Sequence, residues 1–427
     1  MKKTIKPVKA FNAVITIPGD KSISHRAVMF GSLAVGDTVI RGFLNGDDCL
    51  STVGCFKNMG IDIEMDKEKV VVHGKGLNGL TPPVSVLDVG NSGTTLRLMS
   101  GILSAQKFTS CVTGDSSIQK RPMDRVAKPL SLMGADIKST APDKILAPVT
   151  ITGKPLKGID YTLPVASAQV KSAILLAGLY AEGETVVIEP EATRNHTEIM
   201  LNFMGADIKK DGNRIICRPV KELYAKEITV PGDISSAAYF MVAAATSENA
   251  CITIKNVGIN PTRTGIITAL EAMGADITIS DEKLLNGEPV GDITVKSSKL
   301  KATVIEGDLI PKLIDEIPVL AVAAAMADGT TVIKDAQELK VKESNRIKTT
   351  ADELSKFGVD ITETDDGLII NGPTFMKGGA VINTHNDHRI AMSAAIAALL
   401  ADSETVIDGS ECVDISFPGF YTLLEEL

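Results

Sequence analysis

Apolar and polar positions along this chain fall into a recurring order. A helical-period stretch leads through a turn into an alternating stretch of strand type, and a second helical stretch leads into further strand-type positions. A short phrase marks each exit from that second helix: NMGIDIE at Asn58–Glu64, LMGADIK from Leu132, FMGADIK from Phe203, AMGADIT from Ala272 and KFGVDIT from Lys356. Its Gly predicts a helix C-cap in the left-handed conformation, which costs glycine least. A second phrase joins an Ala-rich helix to a strand: GSLAVGDTVI (Gly31–Ile40), AGLYAEGETVVI (Ala177–Ile188), AAAMADGTTVI (Ala323–Ile333) and ALLADSETVI (Ala398–Ile407). Helix, strand, helix, strand, strand at a period of roughly 70 residues is too long for a common solenoid. The pattern predicts about six small α/β modules, each packed on its neighbours.

A third echo places the boundary between domains. IPGDKS at Ile17–Ser22 returns as VPGDIS at Val230–Ser235, with Pro and Gly interrupting extended, β-branched flanks. The spacing predicts two lobes connected by two crossings of the chain. One holds residues 1–20 plus 231–427, the other 21–230, and the cleft between lobes is the expected ligand site. The length of 427 residues agrees, since it exceeds what one core usually covers.

Composition then removes whole classes of function. The net charge of −9, with no Trp and 4% aromatic residues, leaves neither a basic surface nor stacking platforms for nucleic acid. The six cysteines show no C-x-x-C pair and no zinc-ligand spacing, so neither a disulfide framework nor a metal is expected. The opening MKKTIKP lacks the apolar core of a signal peptide. No apolar run reaches the ~18 residues of a membrane span. A cytoplasmic protein with no membrane partner, acting as a monomer, is the expectation.

Basic residues stand where helices disfavour them. A helix N-terminus carries partial positive charge, so Lys or Arg in the first turn points to an anion nearby. Lys21 and Arg26 open SISHRAVMFGSLA, Lys171 starts VKSAILLAGL, Arg194 precedes TEIMLNFM, Lys342 and Arg346 lie in VKESNRIKTTADEL, and Arg389 heads RIAMSAAIAALLA. Arg121 adds to the set beside a Pro in QKRPMDR. Asp88–Arg97, DVGNSGTTLR, reads as strand, Gly-containing turn and helix; its amides either cradle a phosphate or carboxylate or form an ordinary turn. Singly, each cation fits a solvated surface. Jointly, they predict a site for small anions.

Acidic and histidine residues are less decided. Asp315 and Glu316 enter the apolar helix LIDEIPVLAVAAAMA as either N-caps or a base. Glu343 sits three residues before Arg346, within reach of it on one helix face. His385, Asp387 and His388 imitate a metal site, but Arg389 beside them repels a cation. His25 and His196 also neighbour basic residues, which suits anions better than metals. No Walker A, G-x-G-x-x-G or G-x-S-x-G motif occurs, so no redox cofactor and no acyl-serine chemistry are expected.

With these residues in view, the chain resembles the EPSP synthase family. The motifs that carry the resemblance are GDKSISHR (Gly19–Arg26), GNSGTTLR (Gly90–Arg97), KRPMDR (Lys120–Arg125), SAQVKSA (Ser167–Ala173), RNHTE (Arg194–Glu198), LIDEIP (Leu313–Pro318), VKESNR (Val341–Arg346) and NDHRIAM (Asn386–Met392). They follow the family order along essentially the whole chain, and SAQVK and RNHTE resemble its class II branch. The resemblance implies an α/β fold of two lobes, each of three βαβαββ repeats, joined by two crossover strands. It implies transfer of the enolpyruvyl group of phosphoenolpyruvate to the 5-hydroxyl of shikimate 3-phosphate, without a cofactor. Lys21, Ser22, Arg26, Ser167, Ala168, Gln169, Arg194, Asp315 and Lys342 would hold shikimate 3-phosphate. Lys21, Asn91, Gly93, Arg121, Gln169, Glu343, Arg346 and Arg389 would hold phosphoenolpyruvate. Asp315 would take the hydroxyl proton, and Glu343 with Lys21 would protonate the methylene carbon.

Departures from the family pattern are specific. One branch has a Lys three residues before the Pro of a C-terminal Phe-Pro, where this chain has Asp414 and Ile415 before SFPG. Thr95-Leu96-Arg97-Leu98 replaces the Ala-Met-Arg-Pro of glyphosate-sensitive relatives, while Gly93 is kept, so glyphosate is expected to bind. The sister enolpyruvyl transferase acting on UDP-N-acetylglucosamine carries Lys-Asn at Lys21-Ser22 and a reactive Cys on a G-C-x-I-G loop. TSCVTGDSS around Cys111 is not that loop.

Overall fold

Each phrase of the repeat folds as one module. In the computed structural model, which describes residues 1–427, the module after the first crossing runs helix Lys21–Leu33, strand Ala34–Arg41, helix Asp47–Asn58, then strands Asp62–Met65 and Lys69–Lys75. The chain divides into two compact units. One comprises Met1–Pro18, Pro231–Leu284 and Pro289–Leu427; the other comprises Gly19–Val230 with the hairpin turn Leu285–Glu288.

One sheet plan recurs. An edge strand runs parallel to the strand after the first helix, and a hairpin adds antiparallel on the far side. Asp160–Thr162 pairs with Thr185–Ile188, that strand with Arg214–Arg218, and that one with Asp207–Asp211. Leu87–Asp88, Thr109–Thr113, Val149–Thr152 and Asp136–Ser139 repeat the order. Edge strands of the first module of each unit come from a distant stretch of chain. Glu227–Thr229 lies parallel to Ala34–Arg41, and Asn12–Thr16 lies parallel to Cys251–Gly258.

The last module departs from βαβαββ. After Thr405–Asp408 the chain enters the 3₁₀ segment Ser410–Ile415 and helix Phe420–Glu425, with no hairpin. Lys2–Ile5 takes the vacant place, antiparallel to Thr405–Asp408, which pairs on its other side with Val381–Asn383. The sequence signal is visible in retrospect: the Gly-x-Asp phrase after the second helix occurs in five modules and is missing from the sixth. Without Lys2–Ile5 the strand would present an open edge.

The core of each unit is built on three apolar helices, Lys21–Leu33, Gly93–Leu103 and Ala168–Gly178 in one, and Ile234–Thr246, Ile317–Met326 and His388–Leu399 in the other. A helix apolar on all sides must be buried on all sides, and every residue of Ile317–Ala325 is. Small residues set the packing distance: a Cβ on Gly101 would sit 2.1 Å from the Ala173 carbonyl oxygen. The phrase glycines Gly60, Gly134, Gly205, Gly274 and Gly358 all have φ between +84° and +106°, the left-handed C-cap geometry. No helix is long and apolar enough to cross a membrane.

Candidate active site

The two echoed Pro-Gly-Asp turns serve the same local purpose. Asp20 Oδ1 accepts from the Ile23 amide at 2.9 Å and Asp233 Oδ1 from the Ser235 amide at 2.9 Å, capping the first core helix of each unit. The residue after each cap differs. Lys21 begins one helix, and its Nζ lies 3.0 Å from Asp48 Oδ2; Ile234 begins the other.

In the unit of Gly19–Val230, the helix openings gather amides, hydroxyls and guanidiniums. Ser92 caps helix Gly93–Leu103 by accepting from the Thr95 amide at 3.1 Å. Arg121, at the end of a 3₁₀ turn, donates Nη2 to Asn91 Oδ1 at 3.1 Å and to Ser117 Oγ at 3.0 Å. Gln169 accepts at Oε1 from Arg97 Nη1 at 2.5 Å and donates Nε2 to Thr94 Oγ1 at 3.1 Å. Gly93 lies between the two guanidiniums, since a Cβ there would be 3.3 Å from Arg121 Nη1 and 3.7 Å from Arg97 Nη1. Ser167 caps the helix that Ala168 begins, with Oγ accepting from the Val170 amide at 3.4 Å.

Arg26 is 3% exposed and donates to Thr197 Oγ1 (2.8 Å), the Ser22 carbonyl (2.9 Å) and Ser172 Oγ (3.1 Å). These bonds use three of its five N–H groups. Burial pulls its pKa down to about 10, against the opposing pull of Glu198 and Asp20. Arg194 is half-buried in the loop before helix His196–Phe203.

The other unit builds a cluster rich in carboxylates. Arg346, the first residue of helix Arg346–Ser355, is 1% exposed. Its Nε lies 2.8 Å from Asp387 Oδ2, Nη1 3.3 Å from Asp315 Oδ1 and Nη2 2.5 Å from Glu343 Oε2. Burial alone disfavours its charge, but Asp387, Glu343 and Asp315 outweigh burial and raise its pKa above the ordinary arginine value. Asp387 is held below the ordinary carboxylate value despite burial, chiefly by Arg346. Lys342 Nζ also reaches Asp315 Oδ1 at 3.3 Å, and Arg389 Nη1 donates to the Asp315 carbonyl at 2.9 Å. Asp315 is thus approached by three cations, two at one carboxylate oxygen and one at its backbone.

Several expectations change on contact with the structure. Lys171 does not face an anion site: its side chain is 1% exposed, 3.0 Å from Glu189 Oε1 and 2.6 Å from Glu198 Oε1. An ammonium so far from water needs a carboxylate, and it has two. Neither Asp315 nor Glu316 caps the apolar helix; Glu316 occupies the N-cap position without a capping bond and accepts from Ser235 Oγ. Glu343 pairs with Arg346 from the turn before the helix, not along its face. Asp387 caps helix His388–Leu399 through the Arg389 amide at 3.0 Å and grips Arg346, so it belongs to an ion cluster and not to a metal site. His196 is held by Glu288 at 2.7 Å and His25 by Thr52 at 2.7 Å. Ligand atoms at metal spacing occur at Asp62, Glu64 and His73, an exposed sheet surface outside both clusters.

Sequence reasoning missed Asp48, Arg97, Glu189 and the structural role of Asp387. Asp48 stands in the first turn of a helix, where acidic residues are ordinary, so only the fold shows that it meets Lys21.

Six small α/β modules in two units thus place cations at helix openings, several of them against carboxylates. A family model for EPSP synthase (3-phosphoshikimate 1-carboxyvinyltransferase) matches residues 5–424. A 3-phosphoshikimate 1-carboxyvinyltransferase of Thermoanaerobacter sp. (strain X514) is 55% identical over 423 residues, covering 99% of this chain and 99% of that protein. One from Bacillus thuringiensis subsp. konkukian (strain 97-27) is 55% identical over 426 residues, covering 100% and 99%. Among solved structures, an EPSP synthase from Acinetobacter baumannii superposes with a TM-score of 0.89 at 52% identity, covering 100% of this chain and 98% of that one. The chain belongs to the EPSP synthase family.

Proposed function

We propose that the cations and carboxylates gathered at the helix openings carry the family reaction. The enolpyruvyl group of phosphoenolpyruvate passes to the 5-hydroxyl of shikimate 3-phosphate, giving 5-enolpyruvylshikimate 3-phosphate and phosphate. Lys21, Ser22, Arg26, Ser167, Ala168, Gln169, Arg194, Asp315 and Lys342 hold shikimate 3-phosphate. Asn91, Gly93, Arg121, Gln169, Arg346 and Arg389 hold phosphoenolpyruvate, with Lys21 and Glu343 beside it. Clustered cations lower the repulsion between two polyanions and hold them in attacking geometry.

Asp315 accepts the proton of the 5-hydroxyl as the oxygen bonds to C2 of phosphoenolpyruvate. Glu343, with Lys21, delivers a proton to C3, which gives a tetrahedral intermediate. A C3 proton then returns to Glu343 and Lys21, which re-forms the double bond as the phosphate C–O bond breaks, and Asp315 gives its proton to the departing phosphate. The observation that carries this assignment is the Asp315 carboxylate itself, 3.3 Å from both Lys342 Nζ and Arg346 Nη1. A carboxylate held at this opening by two cations is fixed in place to take the proton of a bound hydroxyl. On this reading glyphosate inhibits at the phosphoenolpyruvate groups, and the protein works as a cytoplasmic monomer. Its six free cysteines suit a reducing compartment.

Phosphate release from phosphoenolpyruvate, with and without shikimate 3-phosphate, tests the assignment with Asp315→Ala and Arg121→Ala beside wild type. Release should require both substrates and collapse in both variants. Full turnover in Asp315→Ala would remove it as the base.

A further inference from the structure

Beneath the helix openings of the Gly19–Val230 unit runs a buried chain of hydrogen bonds that none of the substrate assignments uses. His25 Nδ1 lies 2.7 Å from Thr52 Oγ1, Thr52 Oγ1 lies 2.6 Å from Thr95 Oγ1, and Thr95 Oγ1 donates to Ser92 Oγ at 2.7 Å. All four residues are fully buried, at 0% exposure. They come from three different helices and one cap: Lys21–Leu33, Asp47–Asn58, Gly93–Leu103 and the residue that caps the last.

The chain has a direction. Thr95 gives its proton to Ser92, so its remaining lone pair takes the proton of Thr52, and Thr52 in turn accepts from His25. That fixes His25 as the tautomer protonated on Nδ1. Its Nε2 is buried and has no partner, so a second proton there would have no acceptor. Burial, with Lys21 and Arg26 nearby, lowers the pKa of His25 well below its ordinary value, which keeps the ring neutral.

The elements joined by this chain are those whose openings carry Lys21, its partner Asp48, and the Asn91–Gly93 turn against Arg121. We propose that His25 and Thr52 are positioning residues that set the spacing between Lys21 and the Asn91–Gly93 turn, and through it the affinity for phosphoenolpyruvate. Misplacement of that turn by a fraction of an ångström is felt where Arg121 meets it. The proposal rests on the assignment of Asn91, Gly93 and Arg121 to phosphoenolpyruvate.

Steady-state kinetics in both substrates test it. Thr52→Val keeps the volume and removes the hydroxyl; Thr52→Ser keeps the hydroxyl. His25→Asn keeps a donor at the Nδ1 position and His25→Leu removes it. Thr52→Val and His25→Leu should raise KM for phosphoenolpyruvate about tenfold, with kcat and KM for shikimate 3-phosphate within about twofold of wild type. Thr52→Ser and His25→Asn should restore KM for phosphoenolpyruvate to within about twofold. A purely structural role would lower the melting temperature and the active fraction while leaving KM unchanged, and that result overturns the proposal. So does an equal loss in the variants that keep the donor. Arg121→Ala, run in parallel, separates the failures: if it leaves KM for phosphoenolpyruvate unchanged, the substrate assignment falls; if it raises KM while Thr52→Val does not, only the positioning role falls.

Discussion

The two units meet the cost of placing guanidiniums at helix openings in different ways. In the Pro289–Leu427 part of one unit, Arg346 is gripped by the carboxylates of Asp387, Asp315 and Glu343. In the Gly19–Val230 unit, the contacts to Arg121 from Asn91 and Ser117, and to Arg26 from Thr197 and Ser172, are neutral. The first arrangement locks charge in place and raises the pKa of the arginine. The second lets burial pull Arg26 down to about 10. In one cluster carboxylates more than offset the burial of the guanidinium; in the other, hydroxyls and a carbonyl fix Arg26 while burial still disfavours its charge.

That contrast breaks most sharply at Asp315. Replacing it with Asn keeps the shape and removes the proposed base, so kcat should fall by roughly 10³-fold, read as phosphate release at saturating substrates. A loss under tenfold would make the carboxylate part of the ion cluster only. Next in size is Asp387→Asn, which leaves the buried Arg346 short of one carboxylate. Stability should drop by about 3 kcal/mol, measured by urea unfolding, as expected when one partner of a buried pair is removed. A change under ~1 kcal/mol would show that Asp315 and Glu343 suffice.

The pH dependence of stability separates the units. A neutral buried His25 contributes fully above its ordinary value of 6.5. As pH falls below that value the unfolded chain takes up a proton the folded one refuses, and stability declines by up to ~1.4 kcal/mol per pH unit. Asp387, held below its ordinary 3.8, acts in a lower window: its contribution is present above that value and fades as pH falls through the folded value. His25→Asn should remove the first decline and leave the second, which acid titration of unfolding can check. The smallest effect is expected at Gly93→Ala. The added methyl meets Arg121 Nη1 at 3.3 Å, close enough to displace it by a few tenths of an ångström. KM for phosphoenolpyruvate should rise about fivefold, and inhibition by glyphosate should weaken more.

Much of this was readable from the sequence because the signals were local. The phrase glycines sit at a fixed place after each helix, and a left-handed C-cap depends on little beyond that residue. Lys21, Arg346 and Arg389 were conspicuous because cations at helix starts violate a local preference. Lys171 broke the same rule for a different reason: Glu189 and Glu198 meet it inside the unit, and no local pattern distinguishes a buried triad from an anion site. Asp48 escaped notice for the converse reason, being an acid where acids are ordinary. The buried hydrogen-bond relay joins positions from His25 to Thr95 in the sequence, and its hydroxyls look like any other Thr and Ser until the helices pack. The missing sixth hairpin was visible as an absent phrase, but which strand would replace it was not, because the answer lay some 400 residues away.

That replacement has a consequence for synthesis. Lys2–Ile5 leaves the ribosome some 400 residues before the strand it pairs with, Thr405–Asp408. Residues 19–230 can collapse onto their own helices while the rest is being translated. Until Thr405–Asp408 is made, Lys2–Ile5 lacks its native partner, and its backbone donors and acceptors are exposed to whatever edge they meet. One unit can therefore be finished during translation. The other is sealed only when Lys2–Ile5 meets Thr405–Asp408, which makes that sheet the last of its unit to close.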